Sequence, residues 1–374
     1  MDLFRIATPA AASLKHHHRT AIASLLYRNG PATKQQIAEQ LHLSLPTVID
    51  NLGALEERGI VVPGETQPST GGRKPRTYAY NADSHIAVGV ELAETEVVCS
   101  AVNLYGTVVA QHRHSVTQRN DASYVTRVGH VINDFVRSQV SRQQTILGIS
   151  LCGPEDMVEM FRAHAGLKKL LEPHTLEITN PCEATAMTEL WSNPDMPDTL
   201  ILHIADTITS TLIVGGAPLP SSPDYPQIGH MTLVSDHGKA CECGRTGCFN
   251  TYCSIQGLPE EGESLPGFFS VLEQGEIHHR DRMMAWLGHV AQAVANVQSV
   301  LFVNVVISGP VAQYLDEHDM QVLQRAILAH HPQTSDMLAS RQVRTAHHME
   351  HAQALGAALG LVARYLQDPY KVCE

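Results

Sequence analysis

The sequence has no uninterrupted apolar run of the roughly 18–20 residues that a membrane-spanning helix needs. Its N-terminus, which carries Asp2, also lacks the charged-then-apolar layout of a secretory signal peptide. Lys and Arg are scarce, with 26 against 38 Asp and Glu, and the resulting net charge of −12 argues against a protein that coats nucleic acid. We therefore expect a cytoplasmic chain, and its 374 residues suggest two or three domains.

Cysteine is concentrated in one short segment, where Cys241, Cys243 and Cys248 account for three of the eight cysteines. In a reducing compartment such crowding favours a metal site over a disulfide framework. Two cysteines separated by one residue, with a third five residues on, can hold one tetrahedral ion from a tight turn, and His230 can supply a fourth ligand. Chance crowding is the alternative, and nearby Cys253 is a possible competing ligand.

Positive charge is not evenly distributed along the chain. Residues 1–80 contain nine Lys and Arg against six Asp and Glu, which is a net charge of +3. The remaining residues contain 17 against 32, which is −15. A basic head joined to an acidic body is typical of a sequence-specific DNA-binding protein with a separate sensing or assembly domain.

The basic head contains a pattern of three helices. Apolar spacing predicts a first helix over residues 15–28, which Gly30 and Pro31 terminate, and a second over 34–41 with Thr33 as its N-cap. Ser44 then caps a third helix with Pro46 in its first turn. A second and third helix joined by so short a turn indicate a helix-turn-helix, whose recognition helix we place within residues 44–58.

The third helix defines the candidate DNA contacts. Val48, Leu52 and Leu55 form its expected buried face, which leaves Asn51 among the exposed residues. In a helix-turn-helix the N-terminal part of this helix enters the major groove. A small three-helix packing module that does not bind DNA is the alternative. The candidate contacts to bases and phosphates are Thr33, Ser44, Pro46, Thr47 and Asn51.

A basic hairpin follows the three helices. A strand beginning at residues 59–62 and a return strand at 78–80 enclose the segment Gly71-Gly72-Arg73-Lys74-Pro75. Such a slim tip can lay Arg73 and Lys74 along the minor groove or across phosphates, and a solvated loop is the alternative interpretation. Together with the upstream helices, the hairpin predicts a winged helix-turn-helix that binds double-stranded DNA.

Beyond the hairpin, strand and helix patterns alternate. Strands are predicted at 86–92, 97–103 and 145–151, a long helix at 278–301 and a C-terminal helix at 352–366. Alternation in two similar halves predicts an α/β fold class.

These features together resemble the ROK family (repressor, open reading frame, kinase), and in particular its sugar-responsive repressor branch. The resemblance runs from His18-Arg19 through the Gly-Gly-Arg-Lys-Pro segment and the cysteine cluster to nearly the end of the chain. It implies a winged helix-turn-helix at 1–82 and, at 83–374, a two-lobed ribonuclease-H-like actin/hexokinase fold. The lobes would be about 83–180 with the C-terminal helix, and 181–350. The resemblance also implies a structural Zn²⁺ in a knuckle at 230–248, bound by His230, Cys241, Cys243 and Cys248.

The chain departs from the kinases of that family at each catalytic element. The family's phosphate-binding turn Asp-x-Gly-Gly-Thr is here Glu91-Leu92-Ala93-Glu94-Thr95, and its Gly-Thr-Gly turn is Ala205-Asp206-Thr207. Both replacements remove glycines and set a carboxylate where phosphates would lie. The family's Asn-Asp pair, which holds the general base, is here Asn180-Pro181, and proline cannot accept a proton. We expect no catalytic residues and no kinase activity.

The sugar pocket implied by the resemblance is altered. Gln227 and Asn250 stand where the family has glutamates, which removes two charge-assisted acceptors, whereas Asn180 and His230 are retained. The expected function is a transcriptional regulator, a repressor of carbohydrate-related genes, that acts as a homodimer or homotetramer with a sugar or sugar-derivative effector. Two alternatives remain: a body that has lost its sugar and acts through a protein partner, and an active sugar kinase. The candidate ligand contacts are Asn180, Gln227, His230 and Asn250.

Overall fold

The computed structural model describes residues 13–66, 75–139, 144–219, 227–331, 340–347 and 351–367. The chain divides into two compact units. The first unit comprises residues 2–151, 155–178 and 357–374, and the second comprises 152–154 and 179–356. Across the described ranges, no helix is both long and apolar enough to cross a membrane.

The winged helix is the N-terminal part of the first unit. Its elements are α1 (Ser13–Asn29), β1 (Ala32–Thr33), α2 (Lys34–Leu41), α3 (Leu45–Glu57), β2 (Val61–Thr66) and β3 (Arg76–Tyr80). The strands form a sheet of order β1-β3-β2, in which β2 and β3 pair antiparallel. Ile22, Ile37, Val48, Leu52 and Leu55 are buried between the helices, as apolar residues at helical spacing should be. The predicted three helices and hairpin are thereby confirmed.

The rest of the first unit is a five-stranded sheet with helices. Antiparallel neighbours β4, β5 and β6 form one side of a sheet of order β6-β5-β4-β7-β8. The helix α4 packs on this sheet through one face, which includes Tyr124, Val128, Ile132 and Phe135. The elements are β4 (His85–Leu92), β5 (Glu96–Asn103), β6 (Val108–Ser115), α4 (Ala122–Gln139), β7 (Thr145–Cys152), α5 (Glu155–Ala163), α6 (Ala165–Leu171) and β8 (Leu176–Thr179).

The second unit contains a mixed sheet of order β11-β10-β9-β12-β13. The strands β9 and β10 form an antiparallel hairpin, whereas β9–β12 and β12–β13 are parallel. Its elements are α7 (Pro181–Ser192), β9 (Thr199–Ile204), β10 (Ile208–Val214), β11 (Ala217–Pro218), α8 (Asn250–Cys253), α9 (Leu265–Glu273), α10 (Ile277–Gln298), β12 (Asn304–Ser308), α11 (Glu317–Ala329) and β13 (Val343–Thr345). A last helix, α12 (Ala352–Gln367), ends the described chain.

The α/β class with an N-terminal winged helix-turn-helix is therefore confirmed. The domain boundary that we place at residues 82–83 falls between β3 and β4, inside the first unit, and it stays a prediction.

Candidate nucleic-acid interface and metal centre

The start of α3 is fixed by a side-chain cap. Ser44 lies in extended backbone, and its Oγ accepts a hydrogen bond from the backbone N–H of Thr47 at 3.3 Å. The two hydroxyls are 2.7 Å apart, so they also bond to each other. Pro46 occupies the first turn, where its missing N–H costs nothing. Ser44, Pro46 and Thr47 thus lie together at the N-terminal end of α3, as the sequence predicts.

Thr33 is placed where it serves the fold. Its side chain accepts from the backbone N–H of Gln36, and the Gln36 side chain accepts from the Thr33 N–H at 2.8 Å. This capping box fixes the start of α2. Because Thr33 is buried, its hydroxyl faces its own helix rather than solvent.

The expected exposure of Asn51 is wrong. The residue is only 5% exposed, and its Oδ1 accepts from Arg19 Nε on α1 at 3.3 Å while its Nδ2 donates to the Thr47 carbonyl at 2.8 Å. Asn51 lies beside Leu52 on the face that packs against α1. Its amide therefore holds two helices together, and the sequence pattern alone gave no sign of the Arg19 partner.

Apart from Pro46, the outward face of α3 consists of residues that were not among the predicted DNA contacts. Leu45 and Ile49, one helical turn apart, are 47% and 43% exposed. Pro46 and Asp50 are exposed beside them, and a Cβ added at Gly53 would meet nothing within 4 Å. The available signal was helical spacing, because positions 46, 50 and 53 lie opposite the buried Val48, Leu52 and Leu55, and position 49 lies at the edge of that side. Arg73 and Lys74 lie outside the described residues.

The four predicted metal ligands come together in the second unit. The ligand atoms of His230, Cys241, Cys243 and Cys248 all lie within 4.8 Å of one another. Cys241 Sγ is 3.5 Å from His230 Nδ1, and Cys243 Sγ is 3.6 Å from Cys248 Sγ. Ligands at about 2.3 Å (S) and 2.0–2.1 Å (N) around a tetrahedral Zn²⁺ are separated by roughly 3.5–3.8 Å, and these two distances fit that range.

Tight turns create this arrangement. Gly244 and Gly247 have φ of +82° and +72°, which side chains rarely tolerate, and a Cβ at Gly247 would lie 1.7 Å from the Val234 carbonyl oxygen. Bridges between Thr232 and Cys248 and between Ala240 and Thr246 close the turn. Cys253 lies elsewhere, since its thiol is buried and donates to the Trp286 carbonyl.

The thiols of the cluster differ in their surroundings. Hydrogen bonds from the Arg245 backbone and side chain lower the pKa of the exposed Cys243 thiol to about 7. Burial raises the pKa of Cys248 to about 12. A bound cation favours the thiolate form of all three cysteines, so metal binding and thiol ionisation are coupled.

Two of the four candidate sugar contacts, Asn180 and Asn250, accept hydrogen bonds from backbone N–H groups. Asn180 caps α7, and its Oδ1 accepts from the Glu183 N–H at 2.9 Å. Asn250 Oδ1 accepts from the Ile208 N–H at 2.8 Å. His230 belongs to the metal cluster, and Gln227 is exposed. The structure therefore gives two of the four expected sugar contacts an additional role in the fold.

The two turns that would face nucleotide phosphates are β-hairpin turns. The turn between β4 and β5 contains Glu94, and the turn between β9 and β10 contains Asp206. Asp206 Oδ1 accepts from Gln256 Nε2 at 3.0 Å. Pro181 is the first residue of α7.

Comparison with known proteins places these observations in a family. The ROK family profile matches residues 87–364, and a winged helix-turn-helix DNA-binding profile matches residues 17–62. The Escherichia coli K12 DNA-binding transcriptional dual regulator NagC is 24% identical over 254 residues, which cover 64% of this chain. The Bacillus subtilis xylose repressor is 22% identical over 249 residues, which cover 62% of this chain. The matches span 62% and 64% of the lengths of these two relatives.

Solved structures show the same fold. A ROK family transcriptional regulator described as a homologue of E. coli MLC superposes with a TM-score of 0.74 at 15% identity, covering 94% of this chain and 96% of its own. A ROK hexokinase from Thermus thermophilus superposes with a TM-score of 0.59 at 19% identity, covering 73% and 97%. The family profile covers most of the chain, and the chain belongs to the ROK family.

Proposed function

We propose that this protein is a DNA-binding transcriptional regulator, a repressor of carbohydrate-related genes, whose ROK body senses a signal and assembles subunits without phosphorylating sugar. The observation that carries the proposal is a capped, solvent-facing α3 in a winged helix on the same chain as the ROK domain. The named regulators NagC and the xylose repressor support it. Ser44, Pro46 and Thr47, with Arg73 and Lys74 of the wing, are the proposed DNA contacts.

The absence of kinase activity rests on chemistry at three positions. Proline at position 181 has no group that can take the proton of a sugar hydroxyl. The hairpin turns that carry Glu94 and Asp206 would bring negative charge towards nucleotide phosphates. A nearby carboxylate, Glu183, accepts a hydrogen bond from Thr179 at 2.9 Å, which supports a structural role for it.

The metal is proposed to be a structural Zn²⁺. Three thiols and an imidazole suit this ion, and four protein ligands leave no open position for substrate. His230, Cys241, Cys243 and Cys248 would hold it, and the ion would fix the knuckle at residues 230–248. The turns at Gly244 and Gly247 bring the four ligands of the knuckle together.

Control of DNA binding is proposed to follow a population shift. An effector that favours one placement of two DNA-binding heads in a homodimer or homotetramer changes their fit to a two-fold operator. A sugar or sugar derivative is the first candidate, with Asn180, Gln227, His230 and Asn250 as its contacts. The hydrogen bonds that already engage Asn180 and Asn250 favour a second candidate, a body that responds to a protein partner.

The test combines three measurements on the full-length chain. Selection from random double-stranded DNA, followed by titration at several salt concentrations, should give sequence-selective and salt-dependent binding. Thermal-shift screening with sugars, amino sugars and sugar phosphates should identify an effector, whereas no shift with any of them supports the protein-partner hypothesis. Robust sugar-dependent ATP turnover would overturn the proposed loss of catalysis, and absence of selective DNA binding would overturn the regulator itself.

A further inference from the structure

The outward face of α3 has an unusual composition for a helix that enters DNA. The exposed positions of α3 are Leu45, Pro46, Ile49, Asp50, Glu56 and Glu57, and none carries a positive charge or a side-chain amide. Two large aliphatic side chains are left about half exposed, which costs solubility without contributing to the core. Of the side chains expected to supply polar base contacts, the Asn51 amide is buried against Arg19, and the Ser44 and Thr47 hydroxyls bond to each other at the N-terminal end of the helix.

This composition limits which bases the helix can distinguish. The commonest specific contact, to guanine O6 and N7, needs Arg or Lys, and the bidentate contact to adenine needs Asn or Gln. The described α3 presents neither on its outward side. Apolar side chains in the major groove contact the 5-methyl group of thymine, which is the one hydrophobic feature of that groove.

We propose that Leu45 and Ile49 form a thymine-methyl contact surface, so that the operator half-site carries thymines opposite the first two turns of α3. The two side chains lie four residues apart and therefore on one side of the helix. The unfilled space over Gly53 leaves the helix slim one turn further on, which permits close approach to the groove floor. Asp50, which follows Ile49 around the exposed side of the helix, can accept a hydrogen bond from cytosine N4 and disfavours guanine O6.

This inference rests on the proposed DNA-binding function, and the experiment separates the two. An operator is first selected from random double-stranded DNA with the full-length protein. Each thymine of a half-site is then replaced by uracil, which removes only the methyl group and keeps every hydrogen bond. Affinity should fall about four-fold for each methyl that Leu45 or Ile49 buries.

The variants Leu45→Ala and Ile49→Ala identify the side chains responsible. Both residues are about half exposed, so the melting temperature should fall only slightly, and the ratio of thymine to uracil affinity should fall towards one at the contacted positions. Ile277→Ala, at an exposed isoleucine that begins α10, is the matched control and should keep the full ratio.

The outcomes are distinct. Equal, salt-dependent binding to thymine and uracil operators would overturn the methyl contact and leave DNA binding intact. No selective DNA binding at all would overturn the proposed function and with it this inference. If Leu45→Ala and Ile49→Ala changed subunit association in sedimentation and left the thymine-to-uracil ratio intact, the pair would be a protein contact and the proposal would be wrong.

Discussion

Replacing Cys248 by serine should remove the metal and lower the melting temperature of the second unit, whereas replacing Cys253 should leave the metal in place. The two cysteines are five residues apart and both are fully buried, so they form a matched pair. Only Cys248 contributes a ligand atom to the cluster, and its sulfur lies 3.6 Å from that of Cys243. The comparison therefore separates loss of a metal ligand from loss of a buried thiol.

The expected size of the effect follows from binding linkage. Zinc held at about a hundred times its dissociation constant stabilises the folded state by about 2.7 kcal/mol. The unit that contains the site has about 180 residues, and for a unit of that size 1 kcal/mol shifts the melting temperature by about 2–4 °C. Cys248→Ser should thus melt roughly 5–11 °C below the parent protein in zinc-containing buffer.

The assay has two readouts. Elemental analysis should find about one zinc per chain in the parent protein and in Cys253→Ser, and much less in Cys248→Ser. A chelator should lower the melting temperature of the first two proteins and leave that of Cys248→Ser unchanged. Zinc-free parent protein, or equal zinc loss in both variants, would refute the four-residue assignment.

Single contacts support three further predictions. Ser44→Ala removes the cap of α3, which costs about 1 kcal/mol of stability, and should weaken operator binding in a titration. Ser44→Asp should restore the cap, but its negative charge should keep the affinity for phosphate-lined DNA low. Asn250→Ala leaves the Ile208 N–H without its acceptor and should lower stability by about 1–3 kcal/mol in thermal melts, even without sugar. An unchanged melting temperature together with lost effector binding would instead assign Asn250 to the ligand. Glu189 is buried, which raises the pKa of its carboxyl, but hydrogen bonds from Arg344 and His347 outweigh burial and hold that pKa below its ordinary value. The stability that ionised Glu189 contributes is therefore fully present above its unfolded-state pKa of about 4.3 and is lost as the pH falls through the lower pKa of the folded state. Glu189→Gln should flatten the acid side of a plot of melting temperature against pH.

The sequence was most informative where structure is set by near neighbours. Ser44 lies three residues before Thr47, so local spacing alone predicts the cap of α3. The spacing of the three cysteines favoured a metal site, and the family resemblance implied the full ligand set with His230. Side-chain contacts between residues far apart in the sequence could not be predicted from local spacing. Asn51 was expected at the surface because Arg19, its partner 32 residues away, gives no local signal.

The same limit applies to the sugar contacts. Comparison with the family pattern selected Asn180 and Asn250 by position, and the structure adds bonds that the pattern does not contain. The Asn250 bond to Ile208 joins residues 42 apart in the sequence, because the fold of the second unit brings the start of α8 to the start of β10. An asparagine at position 250 therefore stabilises the fold, whether or not it also binds a ligand.

The two hairpin turns at residues 93–95 and 205–207 lack the glycines that the kinases of the family have at these positions. Glycine is needed where a backbone must adopt positive φ or approach a ligand closely. Among the described residues, neither turn, at 93–95 or 205–207, contains a residue with positive φ. The backbone conformation therefore does not require glycine at either turn of this chain. Both turns are hydrogen-bonded to neighbouring segments, because Gln118 N–H donates to the Glu94 carbonyl and Ile255 N–H donates to the Ala205 carbonyl. A body that keeps both hairpins while lacking these glycines fits the proposed regulation without phosphorylation of sugar.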